Sequence, residues 1–111
     1  MSTDAKLVRD RIPELIRATG EEPITYRAEP DEYRLRLREK LAEEVDEFLA
    51  ADDENAIEEL ADVLEVVYAL AADLGTDNAQ LERVREDKAS QRGAFVERIV
   101  WTGLRGSPYG N

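Results

Sequence analysis

The chain has 111 residues, with 26 acidic against 15 basic side chains and neither cysteine nor histidine. This length fits one small domain, and 42% apolar residues can supply a core beneath a heavily charged surface. Without cysteine or histidine there is no thiol nucleophile, no imidazole base and no thiolate or imidazole metal site. The chemistry that remains uses carboxylates, lysine, arginine, tyrosine and a hard metal ion with oxygen ligands.

The sequence also argues against membrane and nucleic-acid partners. Its longest run without a charged residue, residues 66–72, is far shorter than the roughly 20 apolar residues of a spanning helix. The N-terminus lacks the apolar segment of a secretion signal, and the lack of disulfides fits a reducing compartment. A net charge of −11 disfavours contact with phosphate backbones. We therefore expect a soluble, cytoplasmic protein.

The first half of the chain predicts two helices. Asp10 can cap a short helix that accepts Pro13 in its first turn and ends at Gly20. Residues 24–27 have the composition of a brief extended piece. A long helix is predicted for residues 31–51, because apolar side chains recur there at helical spacing.

The second half predicts two more helices and an irregular end. Residues 52–55 form a turn before a helix over residues 54–74, and Gly75 ends that helix. Asp77 opens the last helix, with Gln80 placed for a capping box, and this helix ends near residues 92–93. Residues 95–101 are predicted as a strand or an irregular turn, and residues 103–111 as a loose tail.

These elements predict an all-α fold in a single domain over residues 1–111, with its core in residues 6–100. We expect a helical bundle built on a long antiparallel helix hairpin, formed by the second and third helices. The third helix is apolar on more faces than one hairpin can cover. The bundle is therefore predicted to be completed by oligomerisation.

The acidic excess lies in one segment. Residues 43–77 carry thirteen acidic side chains and no lysine or arginine, whereas the remainder of the chain has a net charge of +2. Such a concentration of like charge destabilises a compact state unless a cation or a basic neighbour offsets it. A salt-adapted surface is the alternative, but it predicts acids scattered along the whole chain.

Two acidic pairs in this segment predict a metal site. Glu44 and Glu47 share one helical face, and so do Glu59 and Asp62, because each pair has a spacing of three residues. In an antiparallel hairpin with its turn near residue 53, Glu47 faces Glu59 and Glu44 faces Asp62. Four carboxylates at one level require a cation, and hard oxygen ligands select Mg²⁺, with Mn²⁺ as a second possibility.

The alternative to a metal site is a solvated acidic face, which is common on exposed helices. The face of Glu59 and Asp62 continues into Val66 and Ala69, however, and does not have the composition of a water-facing stripe. Glu65, one turn beyond Asp62, is the best candidate for a spare ligand or base. Most of the other acids nearby are interpreted as surface residues (Glu43, Asp46 and Glu58).

At these residues the sequence resembles the all-α nucleoside triphosphate pyrophosphohydrolases, the MazG-like and phosphoribosyl-ATP pyrophosphohydrolase-like proteins. The E-x-x-E and E-x-x-D signature of that superfamily is similar to the two acidic pairs here. Two further stretches resemble one branch of it: KLVRDRIPE at residues 6–14 and K-x-x-x-R-G-x-F at residues 88–95. One departure is Ala94, where many relatives have a second glycine.

The resemblance implies a homodimer or larger homo-oligomer with Mg²⁺ held by the four acids. It implies hydrolysis of a nucleoside triphosphate, often a non-standard or damaged one, to the monophosphate and pyrophosphate. The phosphate-binding residues of the family carry over to Lys6, Arg9, Lys88 and Arg92.

Several assignments have alternatives. Lys88 and Arg92 lie near the end of a predicted helix, where the helix dipole by itself favours cations. Aromatic residues can stack on a base, although one aromatic on an apolar helix face usually belongs to the core (Tyr33, Tyr68 and Trp101).

Alternative functions are phosphoribosyl-ATP hydrolysis and a non-catalytic dimerisation module with a cation-binding acidic seam. For the enzyme, Glu47 is our first choice as general base and Glu44 the second.

Overall fold

The computed structural model describes residues 5–106, and this part of the chain contains four α-helices and no β-strand. The all-α prediction is confirmed for these residues. Within them, no helix has both the length and the apolarity needed to cross a bilayer. The described residues divide into two compact units, one that ends at Asn78 and one that begins at Ala79. The helices are α1 (Ile12–Arg17), α2 (Pro30–Ala50), α3 (Ala56–Asp73) and α4 (Asn78–Arg92).

Helix α1 begins later than the sequence predicts. The N-cap position belongs to Arg11, not to Asp10, and no side chain makes a capping hydrogen bond there. Pro13 lies in the first turn, the part of a helix that tolerates a proline, so the proline limits where the helix can start. The predicted break at Gly20 is present, since this glycine has a φ of +95° that other residues rarely adopt.

Helices α2 and α3 pack against each other. A short turn joins them, in which the Asp52 carboxylate accepts hydrogen bonds from the backbone and side-chain nitrogens of Asn55, at 3.1 and 2.8 Å. At the other end of the pair, Arg34 donates to the carboxylate of Asp73 at 2.8 Å and to its carbonyl oxygen at 3.2 Å. The beginning of α2 therefore lies beside the end of α3, so the two helices run in opposite directions.

The core of this helix pair is small. Among the described residues, the buried hydrophobic side chains are Leu37, Val66 and Ala71. Large apolar side chains elsewhere on the two helices remain exposed, and Ile57 is 74% exposed. Such exposed apolar area is available for contact with another molecule. We call it the apolar face; it comprises Val45, Leu49, Ile57, Leu60 and Leu64.

The segment that follows α4 has neither helix nor strand in its described part, residues 93–106. Of the two predicted alternatives for residues 95–101, the irregular turn is the one observed: Arg98 adopts a φ of 59°, and its backbone nitrogen donates to the Phe95 carbonyl at 3.2 Å. Trp101 is 78% exposed, and its indole nitrogen donates to the Gly103 carbonyl at 2.9 Å. Of the predicted loose tail, residues 107–111 lie outside the described residues.

Candidate metal centre

Acidic side chains from α2 and α3 meet in two overlapping groups of three. Glu44, Glu59 and Asp62 each offer a carboxylate oxygen, and these three atoms lie within 4.8 Å of one another. We call this group the acid triad. Glu47 meets Glu44 and Glu43 within the same distance, on the α2 side. The four predicted ligands are thus neighbours, with Glu44 common to both groups.

One oxygen of the acid triad is buried without a partner. Glu59 Oε1 has almost no contact with solvent and accepts no hydrogen bond from any residue between 5 and 106. A buried carboxylate oxygen that lacks a partner costs free energy, and each such atom in a native protein calls for an explanation such as an ion. Three carboxylate donors within 4.8 Å suit a hard divalent cation. The residues present therefore fit a metal ion.

Lys40 partly neutralises the acid triad from within α2. Its ammonium lies 3.2 Å from Glu44 and 3.3 Å from Glu43, and its side chain is only 17% exposed. Burial lowers the pKa of Lys40, but hydrogen bonds to both carboxylates outweigh it and hold the pKa above the ordinary value. Glu44 itself is 7% exposed. The lysine thus supplies the positive charge that a buried carboxylate needs.

Glu47 differs from Glu44 in its surroundings. It is exposed, and among residues 5–106 it forms no ion pair. Repulsion from Glu44 raises its pKa, with smaller contributions from desolvation and from Glu59. The carboxylate of Glu47 is therefore both accessible to water and more basic than that of an ordinary glutamate.

The described residues before α1, residues 5–11, contact the helix pair through polar groups. Arg36 donates to the Ala5 carbonyl at 3.1 Å, and Lys6 lies 3.8 Å from Glu43. Arg9 donates to Asp62 Oδ1 at 2.6 Å. Two of the predicted phosphate-binding residues, Lys6 and Arg9, are therefore placed next to the predicted acidic site.

A cavity of about 210 Å³ lies between this N-terminal segment and helices α2 and α3. Glu44 and Asp62 of the acid triad form part of its wall, together with Arg9 and Lys40. We call it the α2–α3 cavity. Its apolar wall is formed by Leu7, Val8, Leu37, Val66 and Ala69.

The acid groups and the flanking cations are the parts on which the family resemblance depends. A family model described as phosphoribosyl-ATP pyrophosphohydrolase matches residues 6–88 of the 111. The chain belongs to the phosphoribosyl-ATP pyrophosphohydrolase family. The resemblance to the MazG-like superfamily is thereby confirmed, since this family is part of it. Pyrophosphohydrolases act on acid anhydrides, so the prediction of an enzyme of that class is confirmed at the level of the family.

The phosphoribosyl-ATP pyrophosphohydrolase match includes both acidic pairs and the N-terminal cations. One curated relative, an uncharacterized protein of Mycolicibacterium smegmatis, is 56% identical over 52 residues. The match covers 47% of this chain and 53% of the relative, so the chain spans about half the length of that relative. No solved structure matches.

The unit that begins at Ala79 contains two of the predicted substrate-binding residues of this phosphoribosyl-ATP pyrophosphohydrolase family member. Lys88 and Arg92 are exposed residues of α4. Arg92 occupies the last turn, where the helix dipole favours a cation. Their role in substrate binding stays a prediction.

Sequence reasoning did not single out Lys40 as part of the site. The signal was present, because Lys40 precedes Glu44 by four residues and so lies on the same helical face. A lysine at that spacing is also an ordinary helix-stabilising pair. Only its low exposure next to a buried acid separates the two interpretations.

Proposed function

We propose that the protein is a Mg²⁺-dependent nucleotide pyrophosphohydrolase that cleaves a nucleoside triphosphate between its α and β phosphates. The products are the nucleoside monophosphate and pyrophosphate. The observation that carries the proposal is the unpartnered, buried Glu59 Oε1 within an all-oxygen group of three carboxylates. Family membership supports the class of reaction.

The proposed metal ligands are the acid triad and Glu47. Oxygen donors favour Mg²⁺, and Mn²⁺ is a close substitute. When bound, such an ion neutralises charge on the phosphate oxygens and stabilises the leaving pyrophosphate. With pyrophosphate as a good leaving group, the reaction needs no protein nucleophile, which suits a chain without cysteine or histidine.

Glu47 is the proposed general base. Glu44, the second choice, is buried and paired with Lys40, whereas the Glu47 carboxylate is exposed and unpaired among residues 5–106. In the proposed step Glu47 takes a proton from water as the water oxygen bonds to the α phosphorus. The bond from that phosphorus to the bridging oxygen breaks, and pyrophosphate leaves with the electron pair. Arg9 and Lys40 are placed to neutralise phosphate oxygens.

A nucleotide panel assayed with Mg²⁺ tests this function, with pyrophosphate and orthophosphate measured separately. We expect equimolar pyrophosphate and monophosphate, and no activity in excess chelator. Release of orthophosphate and a diphosphate would contradict the proposed cleavage position. Binding of Mg²⁺ without any pyrophosphate release would instead indicate the non-catalytic module.

Phosphoribosyl-ATP is the second candidate substrate, and the family match favours it. Its triphosphate would be cleaved at the same bond, so the acidic site does not separate the two candidates. Adding phosphoribosyl-ATP to the nucleotide panel separates the two candidate substrates, because its kcat/KM can then be compared with that of ATP.

Arg9 gives a prediction that separates metal binding from nucleotide binding. Because Arg9 donates to Asp62 at 2.6 Å, it competes with a cation for that carboxylate. Arg9→Ala should tighten Mn²⁺ binding up to about fivefold, the equivalent of one half-exposed ion pair. The same change should raise the KM for nucleotide by about tenfold, since a charged phosphate contact is lost. Electron paramagnetic resonance of free Mn²⁺ and steady-state kinetics measure the two effects, and Arg9→Lys is the control that retains the charge.

A homodimer or larger homo-oligomer is proposed from the apolar face. Ile57, Leu60 and Leu64 follow one another at helical spacing and are all exposed. Sedimentation equilibrium should give a mass of at least twice 12.6 kDa. A single species at 12.6 kDa would contradict the proposal. The proposed substrates are metabolites of the cytoplasm, and we place the protein there.

A further inference from the structure

The α2–α3 cavity has a charged end and an apolar end. On α2, the lining residues Glu44, Lys40, Leu37 and Tyr33 follow at intervals of three or four residues and so share one face. Tyr33 and Glu44 are eleven positions apart on α2, which corresponds to about 16 Å at a rise of 1.5 Å per residue. The cavity therefore extends from the acid triad, along the helix pair, to an aromatic ring.

The two ends suit the two parts of a nucleotide. The acid triad with a cation, Arg9 and Lys40 can hold phosphates at the charged end. Tyr33 at the other end is half-buried, and Ala69 of α3 lines the same cavity. An aromatic side chain in a nucleotide-binding cavity can stack on a base. A ligand bound through its phosphates at the acid triad would extend its nucleoside along this cavity.

This division leaves two acids of the lining unexplained, Asp10 in the segment before α1 and Glu65 on α3. Glu65 lies one turn beyond Asp62 and belongs to neither group of clustered acids. It has no ion-pair or hydrogen-bond partner among residues 5–106. An ionised carboxylate accepts hydrogen bonds and repels phosphate, so its natural ligand group is an N–H donor.

We propose that the α2–α3 cavity binds the nucleoside part of the substrate, with Tyr33 against the base and Glu65 accepting hydrogen bonds from an amino-substituted base. This proposal rests on the proposed function, because the phosphates are taken to lie at the acid triad. Glu65 is thus the residue that sets base specificity. Bases with an exocyclic amino group are favoured over those with a carbonyl oxygen at the same position, which the carboxylate repels.

Two matched pairs of substrates test the role of Glu65. CTP and UTP differ by an amino group against an oxygen on the base, and so do ATP and inosine triphosphate. The wild type should prefer the amino member of each pair in kcat/KM. Glu65→Gln should reduce that preference by about tenfold or more, because a charged hydrogen bond is lost and an amide also tolerates a carbonyl oxygen.

Glu58→Gln is the matched control, since Glu58 is an exposed acid of α3 outside the cavity lining and the acid groups. It removes the same charge and should leave both preferences within twofold of the wild type. The proposal is wrong if Glu65→Gln leaves the preferences unchanged, if Glu58→Gln alters them equally, or if the wild type shows no preference.

Tyr33 is tested by two substitutions. Tyr33→Leu removes the ring and should raise KM for all bases by about tenfold, with a smaller effect on kcat. Tyr33→Phe keeps the ring and should retain the wild-type KM. Equal effects of the two substitutions would overturn the assignment of Tyr33 to the base.

A binding measurement keeps this inference separate from the proposed function. Amide chemical shifts are recorded while CMP or UMP is added to the protein in Mg²⁺. We expect shifts at residues 33, 65 and 69, and tighter binding of CMP than of UMP. If the wild type hydrolyses no nucleotide, the proposed function fails, and this titration alone shows whether the cavity binds a nucleoside. If hydrolysis occurs but neither monophosphate shifts these residues, the cavity proposal fails and the function stands.

Discussion

Replacing Glu47 with glutamine should lower kcat by about 10² to 10⁴ while nucleotide binding is retained, if Glu47 is the general base. The amide has nearly the shape of the carboxylate but cannot accept the proton of the attacking water. The readouts are pyrophosphate release at saturating Mg²⁺ and nucleotide affinity from equilibrium binding. Glu59→Gln should behave differently, because Glu59 is proposed to hold the metal alone, whereas Glu47 also accepts the proton: the activity of Glu59→Gln should recover in part at high Mg²⁺.

Asp46→Asn is the control for Glu47→Gln. Asp46 is an exposed acid next to Glu47 that belongs to neither acid group, so its substitution should leave kcat within twofold of the wild type. In chelator at pH 7, Glu47→Gln should melt no lower than the wild type, because it removes repulsion from Glu44 that raises the pKa of Glu47. If Glu47→Gln lowered the activity no more than Asp46→Asn does, Glu47 would be ruled out as the base.

Mg²⁺ should stabilise the fold strongly. Residues 43–77 carry thirteen acids without a basic residue, and Glu59 Oε1 is buried without a partner among the described residues. A ligand that binds only the folded state adds about 2.7 kcal/mol at a hundredfold excess over its Kd. For a domain of this size that corresponds to a rise in Tm of about 10 °C. Calorimetry in Mg²⁺ and in chelator, at matched ionic strength, measures this shift.

Two variants separate metal binding from general screening by salt. Glu59→Gln should lose most of the Mg²⁺-dependent rise in Tm, whereas Asp46→Asn should keep it. Equal melting of the wild type in Mg²⁺ and in chelator would contradict a metal site in the acid triad. An equal rise with Na⁺ at the same ionic strength would indicate screening of the acidic segment only.

The long helices could be predicted closely because their signals are local. The sequence predicts residues 31–51 for α2, which spans Pro30–Ala50, and residues 54–74 for α3, which spans Ala56–Asp73. Apolar spacing and the residues of the connecting turn determine both. The sequence places the N-cap of α1 one residue too early, since its position depends on how Pro13 and Arg11 are accommodated rather than on periodicity.

The site was predictable in part. The equal-distance rule for two antiparallel helices pairs Glu44 with Asp62, and these two do meet in the acid triad. That rule does not specify the rotation of each helix about its axis. The groups of three therefore differ from the predicted pairs, since Glu59 lies with Glu44, and Glu47 lies with Glu44 and Glu43. The contact between Arg9 and Asp62 joins residues 53 positions apart through an irregular segment, and no sequence period encodes such a pairing.

Trp101 is the one tryptophan of the chain, and its ring is 78% exposed in the segment after α4. Its emission therefore reports the polarity around residues 95–104, a part of the chain rich in exposed apolar side chains. A blue shift in emission on concentration would mark the covering of that segment. The protein thus carries a single intrinsic optical probe, located in the unit that begins at Ala79.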